Sequence, residues 1–200
     1  MIEISEIKKI LNSKLTSERY AHTLCVAEEA AVLAKRYGAD KEKARLAGLL
    51  HDICKSDNRD SLLQMMREFG IIPDNVEEYA EKLWHARVGA AFCRQRLGIE
   101  DEDVLSAVRY HTTARAGMSL LEKIVFLADY ISADRDYEGV QEIRTAVYAG
   151  LDSGMRVAAA FSMRELIKKQ RLIHPNTVAA YNEAMREWVT VNRLRSGKSI

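Results

Sequence analysis

Apolar residues recur every three or four positions along almost all of this 200-residue chain, and no segment shows the every-second-residue alternation of a strand. A chain patterned this way buries its apolar stripes by packing helix on helix. The breaks coincide with residues that begin or end helices. A first helix over 3–15 is followed by Thr16 and Ser17, which can cap a second running to about Tyr37, where Gly38 is placed to close it. Asp40 starts a third helix that carries Ala47-Gly48-Leu49-Leu50 and ends near Cys54. Ser56, Asp57 and Asn58 then restart the chain for a fourth, closing at Gly70. After a turn at Ile72-Pro73-Asp74, the same signals predict helices over 75–82, 85–97 and 101–110, the second closed by Gly98. Ser119 and Glu122 form a capping box for 120–133, and residues 132–139 read as a polar loop. Helices over 140–149 and 153–170 follow, and His174-Pro175-Asn176 introduces a last one ending near Leu194, with Arg195–Ile200 expected to fray.

Ten glycines and two prolines supply about half the usual share of turn-forming residues, too few for a many-stranded fold. At 48% hydrophobic residues the chain can build a sizeable core, and no linker, repeat or composition shift divides it. The expected architecture is a single all-α domain of about ten helices spanning residues 1–200. Thirty basic against 29 acidic residues leave a net charge of +1, so no whole-protein field attracts nucleic acid or an anionic membrane. An anionic ligand therefore needs a local site. No stretch has the length of a membrane span, and the first fifteen residues mix charge with apolar residues, unlike a secretory signal. Three cysteines, Cys25, Cys54 and Cys93, form no CxxC pair and suit a reducing, cytoplasmic setting. The amphipathic C-terminal helices permit a homodimer without requiring one.

Several polar groups fall where the helical pattern points inward. Asp129 follows the apolar run Ile124-Val125-Phe126-Leu127-Ala128, and Asp52 follows Ala47-Gly48-Leu49-Leu50 in the same manner. His22 shares a face with Val26, Ala30 and Leu33, and His111 with Val104, Ala107 and Val108. His51 adjoins Asp52, and His85 sits between Trp84 and a stripe of Val88, Ala91 and Phe92. Any one of these taken alone is most simply a hydrogen-bonded core residue. Together, neutral imidazoles beside buried carboxylates are most economically stabilised by a divalent cation. Nitrogen and oxygen donors suit iron, manganese, zinc or cobalt better than calcium or magnesium. A structural zinc on the two His-x-x-Cys spacings, His22 with Cys25 and His51 with Cys54, is a weaker alternative that leaves Asp52, Asp129, His85 and His111 buried without a role.

The adjacent His51-Asp52, with His22 upstream and Asp129 near the end of a later helix, resembles the H…HD…D signature of the HD-domain metal-dependent phosphohydrolases. The intervening His85 and His111 match the extended pattern of its dinuclear members. Within that superfamily the chain is similar to the symmetrical diadenosine tetraphosphate hydrolases. The stretches that carry this are Leu83–Ala90, Arg109–Ala114, Ala128–Arg135 and Leu172–Asn182. One departure is Cys54, where a small residue such as alanine is expected. The resemblance implies a metal-binding core over about 18–135, with helices at 140–194 completing a nucleotide site. It also implies central cleavage of dinucleoside tetraphosphates to two nucleoside diphosphates, ADP from the diadenosine compound, with one or two metal ions, iron foremost and manganese or zinc also compatible.

On this reading His22, His51, Asp52 and Asp129 form the primary metal site. His85 and His111 complete a second one or contact water and phosphate, and Asp52, His85 and His111 carry the chemistry. Lys55, Arg135 and Thr112 are the candidates for neutralising and hydrogen-bonding phosphate, and Ile173, His174, Pro175 and Asn176, with Arg171 nearby, are those for nucleotide contact. Two rivals share these residues: an HD phosphohydrolase acting on guanosine tetraphosphate or deoxynucleotides, and a non-catalytic nucleotide sensor. The complete set of six candidate ligands weighs against the sensor.

Overall fold

The computed structural model describes residues 2–195. Apart from Arg195 itself, which closes the last helix, the segment expected to fray lies outside the described residues. Ten α-helices and no strand occur among the described residues: α1 (Ile4–Lys14), α2 (Ser17–Tyr37), α3 (Lys41–Leu50), α4 (Arg59–Glu68), α5 (Trp84–Leu97), α6 (Glu102–Tyr110), α7 (Leu120–Ile131), α8 (Val140–Ala149), α9 (Leu151–Lys168) and α10 (Pro175–Arg195). Their starts follow the capping chemistry of the sequence. Thr16 Oγ1 accepts from the Arg19 N–H at 3.3 Å, Asp40 from those of Glu42 and Lys43, and Asn58 from that of Ser61. Ser119 and Glu122 make the reciprocal capping box that opens α7. Gly38 closes α2 at φ 79°, a conformation that disfavours a side chain.

The helix expected over 75–82 is a correction. Asp74 does start a turn, its carboxylate accepting from the N–H groups of Val76 and Glu77. Only one helical bond follows, Glu78 N–H to Asp74 C=O, before the bonding tightens to three-residue turns. The indole of Trp84 donates to the Glu77 carbonyl at 2.7 Å, and Ala80 leaves the helical region, so the segment ends in a short 3₁₀ turn at Glu81–Leu83. α3 likewise stops at Leu50, short of Cys54. Bonds from Ile53 N–H to Leu50 and from Lys55 N–H to Asp52 wind His51–Ser56 into tight turns.

α7 is the central helix. Its Leu121, Ile124, Val125, Phe126, Leu127 and Ala128 are buried, and it packs against α2, α3, α6, α8 and α9. α2 and α3 approach closely at Gly48, where a Cβ would lie 2.8 Å from the Ala27 Cα. One contiguous core runs from Ile7 on α1 to Ala184 on α10. Among the described residues no helix is long and apolar enough to cross a membrane.

Candidate metal centre

Five elements deliver six polar side chains to one point in this core. His22 comes from α2, His51 and Asp52 from the turn after α3, His85 from the first turn of α5, His111 from the end of α6, and Asp129 from the last turn of α7. His51 is 0% exposed, Asp52 2% and His111 2%, so water does not solvate them. The rings of His22 and His51 lie 5.4 Å apart by their centroids, those of His51 and His111 4.9 Å, and those of His85 and His111 5.2 Å.

The outer nitrogen of each imidazole fixes what the inner one can do. The Nδ1 atoms of His51, His85 and His111 each lie 2.7 Å from a backbone carbonyl three residues earlier, those of Gly48, Lys82 and Val108. A carbonyl only accepts, so Nδ1 carries the proton and the Nε2 lone pair of the neutral ring points at the cluster. His22 uses a carboxylate instead. Its Nδ1 lies 2.7 Å from Asp134 Oδ2, and Asp134 is held by the Ser132 hydroxyl.

The inward atoms are therefore mostly acceptors facing acceptors. His22 Nε2 lies 3.0 Å from Asp129 Oδ1, His51 Nε2 3.4 Å from Asp52 Oδ2, and His85 Nε2 and His111 Nε2 are 3.0 and 3.3 Å from Asp52 Oδ1. His51 Nε2 and Asp52 Oδ1 are buried with no hydrogen-bond partner. Such an arrangement requires protons or a cation in its midst. Within this cluster two triples have one ligand atom from each residue within 4.8 Å of the others: His22, His51 and Asp129, and His51, Asp52 and His111. The donor set of imidazole nitrogens and carboxylate oxygens fits a transition-metal ion. No cysteine joins either triple among the described residues, as the zinc alternative on Cys25 and Cys54 would require.

The electrostatics agree with a cation site. Burial opposes ionisation of Asp129, but a hydrogen bond from His22 and positive charge on His51 when those rings carry an inward proton, together with Arg135, hold the carboxyl far below its usual range; with the rings neutral, a metal ion would supply that charge instead. Asp52 is held down similarly, against burial, by His51, His111 and His85. Burial pushes the imidazolium of His85 down to about 4, which keeps that ring neutral near pH 7.

Three cations border the carboxylates. Lys55 Nζ lies 3.2 Å from His85 Nε2 and 3.9 Å from Asp52 Oδ1, and burial pushes its amine below the usual lysine range. Arg135 donates to the Asp129 carboxylate and, from Nε, to its carbonyl at 2.6 Å. Arg19, which the sequence reading did not single out, donates from Nη1 to Asp52 Oδ2 at 2.9 Å. Asp134 was also passed over as a functional residue. Arg19 stands three positions before His22 on α2, and that helical spacing is the signal that marks it.

The cluster opens on a cavity of about 900 Å³. His111, Thr112, Asp129 and Arg135 line its inner end, and Tyr130, Tyr137, Phe161, Arg164, Lys168 and Lys169 line its walls. The Thr112 hydroxyl is buried without a partner. His174 and Asn176 are not in this cavity. They border a smaller one of about 120 Å³ that adjoins it at Thr112, a residue lining both, where His174 Nε2 meets Asp74 Oδ2 at 2.6 Å and Asn176 N–H donates to His174 Nδ1. Ile173 and Pro175 line neither, and Arg171 is exposed and also lines neither.

A model of the HD domain family matches residues 19–134, the segment that supplies all six inward side chains. The chain is 42% identical over 90% of its length to a Halalkalibacterium halodurans protein named bis(5'-nucleosyl)-tetraphosphatase, symmetrical, covering 95% of that protein. It is 37% identical over 86% of its length to a Bacillus subtilis protein of the same name, covering 92% of that protein. The fold is similar, with a TM-score of 0.90 and 35% identity, to a crystal structure from Clostridium acetobutylicum described as a predicted HD superfamily hydrolase involved in NAD metabolism. That match covers 94% of this chain and 99% of the other.

Proposed function

Because this chain belongs to the HD domain family, we propose that it is a metal-dependent phosphohydrolase that cuts diadenosine tetraphosphate at its centre to give two molecules of ADP. The observation that carries the chemistry is the buried set of inward Nε2 and carboxylate atoms, of which His51 Nε2 and Asp52 Oδ1 have no hydrogen-bond partner, opening on a cavity of about 900 Å³ whose lining carries Arg135, Arg164, Lys168 and Lys169 alongside Glu138, Glu142 and Glu165. The names of the relatives that align over most of this chain supply the substrate and the central point of cleavage.

His22, His51 and Asp129 would hold one ion, and Asp52 and His111, which form the other triple with the same His51, would serve a second position beside His85. Iron is the proposed resident metal, and manganese or zinc satisfies the same donors. When bound, such an ion lowers the pKa of a coordinated water toward neutrality and offsets negative charge on phosphate oxygens. The side chains do the rest. Neutral His85, whose Nε2 lies 3.0 Å from Asp52 Oδ1, accepts the proton of the attacking water, and the ionised Asp52 carboxylate stabilises the imidazolium that forms. The new P–O bond forms at one of the two inner phosphorus atoms, the central anhydride bond breaks, and ADP leaves. Arg135 on the cavity lining and Lys55 beside Asp52 neutralise the charge that grows on the phosphate oxygens, and the Thr112 hydroxyl donates to one of them. Tyr137 and Phe161, with ring centroids 5.2 Å apart on the cavity wall, offer an aromatic surface to one nucleoside. The buried thiols Cys54 and Cys93 remain unpaired, which fits work in the reducing cytoplasm.

The test incubates anaerobically purified protein, loaded separately with ferrous iron, manganese or zinc, with diadenosine tetraphosphate and resolves the products by ion exchange. ADP as sole product, dependent on metal, is expected. ATP with AMP would overturn central cleavage, and no cleavage with any metal would return the sensor reading to first place.

A further inference from the structure

Arg19 sits badly by the rules of helices. It is the third residue of α2, within the first turn, where the partial positive charge of the free N–H groups disfavours a cation, and Thr16 fixes its backbone there as N-cap. The same helical face carries His22 one turn on, so the side chain is aimed at the cluster. Its Nη1 reaches Asp52 Oδ2 at 2.9 Å, and its other donors have no protein acceptor among the described residues. The side chain is 31% exposed, whereas the carboxylate it touches is 3% exposed. Arg19 is the one hydrogen-bond donor to the Asp52 carboxylate among the described residues; the other oxygen, Oδ1, has no partner and faces His85 and His111, so a cation bound there would take over the neutralisation that Arg19 now supplies. Arg135, by contrast, is committed to Asp129 through both its Nε and Nη2 groups. Arg19 is thus a guanidinium at the edge of the site, bound by one of its five N–H groups and open to water with the rest.

We propose that Arg19 is a phosphate-binding residue, exchanging its contact with Asp52 for an oxygen of the polyphosphate when that carboxylate is engaged by metal; this rests on the phosphohydrolase reading above. A guanidinium presents two parallel donors that match two phosphate oxygens, a fit no amide or ammonium reproduces. A purely structural Arg19 would do no more than neutralise Asp52.

The experiment uses metal-loaded full-length protein and three forms, wild type, Arg19→Gln and Arg19→Lys. ADP affinity is measured by calorimetry, KM and kcat for diadenosine tetraphosphate by product release, and thermal stability with and without metal. Arg19→Gln is expected to weaken ADP and raise KM by about tenfold or more, with Arg19→Lys recovering part of the loss. It should lower Tm in the metal-free protein but leave the metal-loaded Tm near wild type. Unchanged ADP affinity and KM, or an equal loss of Tm in both states with binding intact, would overturn the role of Arg19 alone. Wild-type protein that neither binds ADP nor cuts the tetraphosphate would overturn the phosphohydrolase reading, and Arg19 with it.

Discussion

Replacing Gly48 by alanine disturbs the site without touching any of its side chains. A Cβ at this position would lie 2.8 Å from Ala27 Cα, 3.1 Å from Ala27 N and 3.2 Å from the Val26 carbonyl oxygen, all backbone atoms of α2 that cannot rotate away. Reaching even the 3.4 Å lower edge of ordinary contact requires α2 and α3 to part by about 0.6 Å. Overpacking of this kind costs about 1–3 kcal/mol, and the better helix propensity of alanine returns about 1. The net loss of about 1 kcal/mol lowers Tm by about 2–4 °C in a chain of this size. The larger effect is on geometry, because His22 rides on α2 while His51 follows α3 and bonds to the Gly48 carbonyl itself. Displacing reacting groups by about 1 Å costs about 100-fold, so a shift of this size predicts a fall in kcat of about tenfold with weakened metal retention. Gly150→Ala is the control. Gly150 has an extended backbone and nothing within 4 Å of its Cβ position, and its substitution is expected to change stability by less than about 0.5 kcal/mol. Calorimetry, metal analysis and turnover on the two variants decide the matter. A Gly48→Ala protein with wild-type Tm, metal content and kcat would refute the claim that this contact sets the spacing of the site.

Asp134→Ala removes the carboxylate that orients His22 and should weaken metal binding by about 10- to 100-fold, read by competition with a fluorescent chelator, while leaving helicity intact. Manganese at 100 times its dissociation constant should stabilise the metal-free protein by about 2.7 kcal/mol, and an unchanged Tm would contradict a native cation site. Burial pushes the Cys54 thiol up to about 12, with Asp57 adding to it, and burial raises Cys93 further, so both should resist iodoacetamide at pH 8 until denaturant is added; mass spectrometry reads the modified positions.

The convergence of His22, His51, Asp52, His85, His111 and Asp129 was legible in the sequence because each occupies an inward position of an amphipathic helix or its continuation, and burial of so many polar groups implies a shared partner. The caps were legible for a similar reason, since Asp40, Asn58 and Ser119 act on N–H groups two or three residues away. What escaped depends on distant contacts. Asp134 reaches His22 across 112 positions and Arg19 reaches Asp52 across 33; the i to i+3 spacing to His22 puts Arg19 on the right face of α2, but no local pattern encodes either partner. The turn at 75–79 shows the same limit. Its capping chemistry is that of a helix start, but the Glu77 carbonyl accepts both the Ala80 N–H of a tighter turn and the Trp84 indole, a contact seven residues away. His174-Pro175-Asn176 does open α10, as read, yet tertiary packing turns His174 to Asp74 beside the smaller cavity.

The central claim is that a carboxylate buried at the end of an apolar helix face is retained there to bind metal for hydrolysis. It is tested most directly by measuring bound metal and ADP release together on wild type and Asp129→Ala. The account predicts that the variant keeps its helical circular dichroism while losing both the metal and the release of ADP. A folded Asp129→Ala protein that stays metal-replete and active would contradict it.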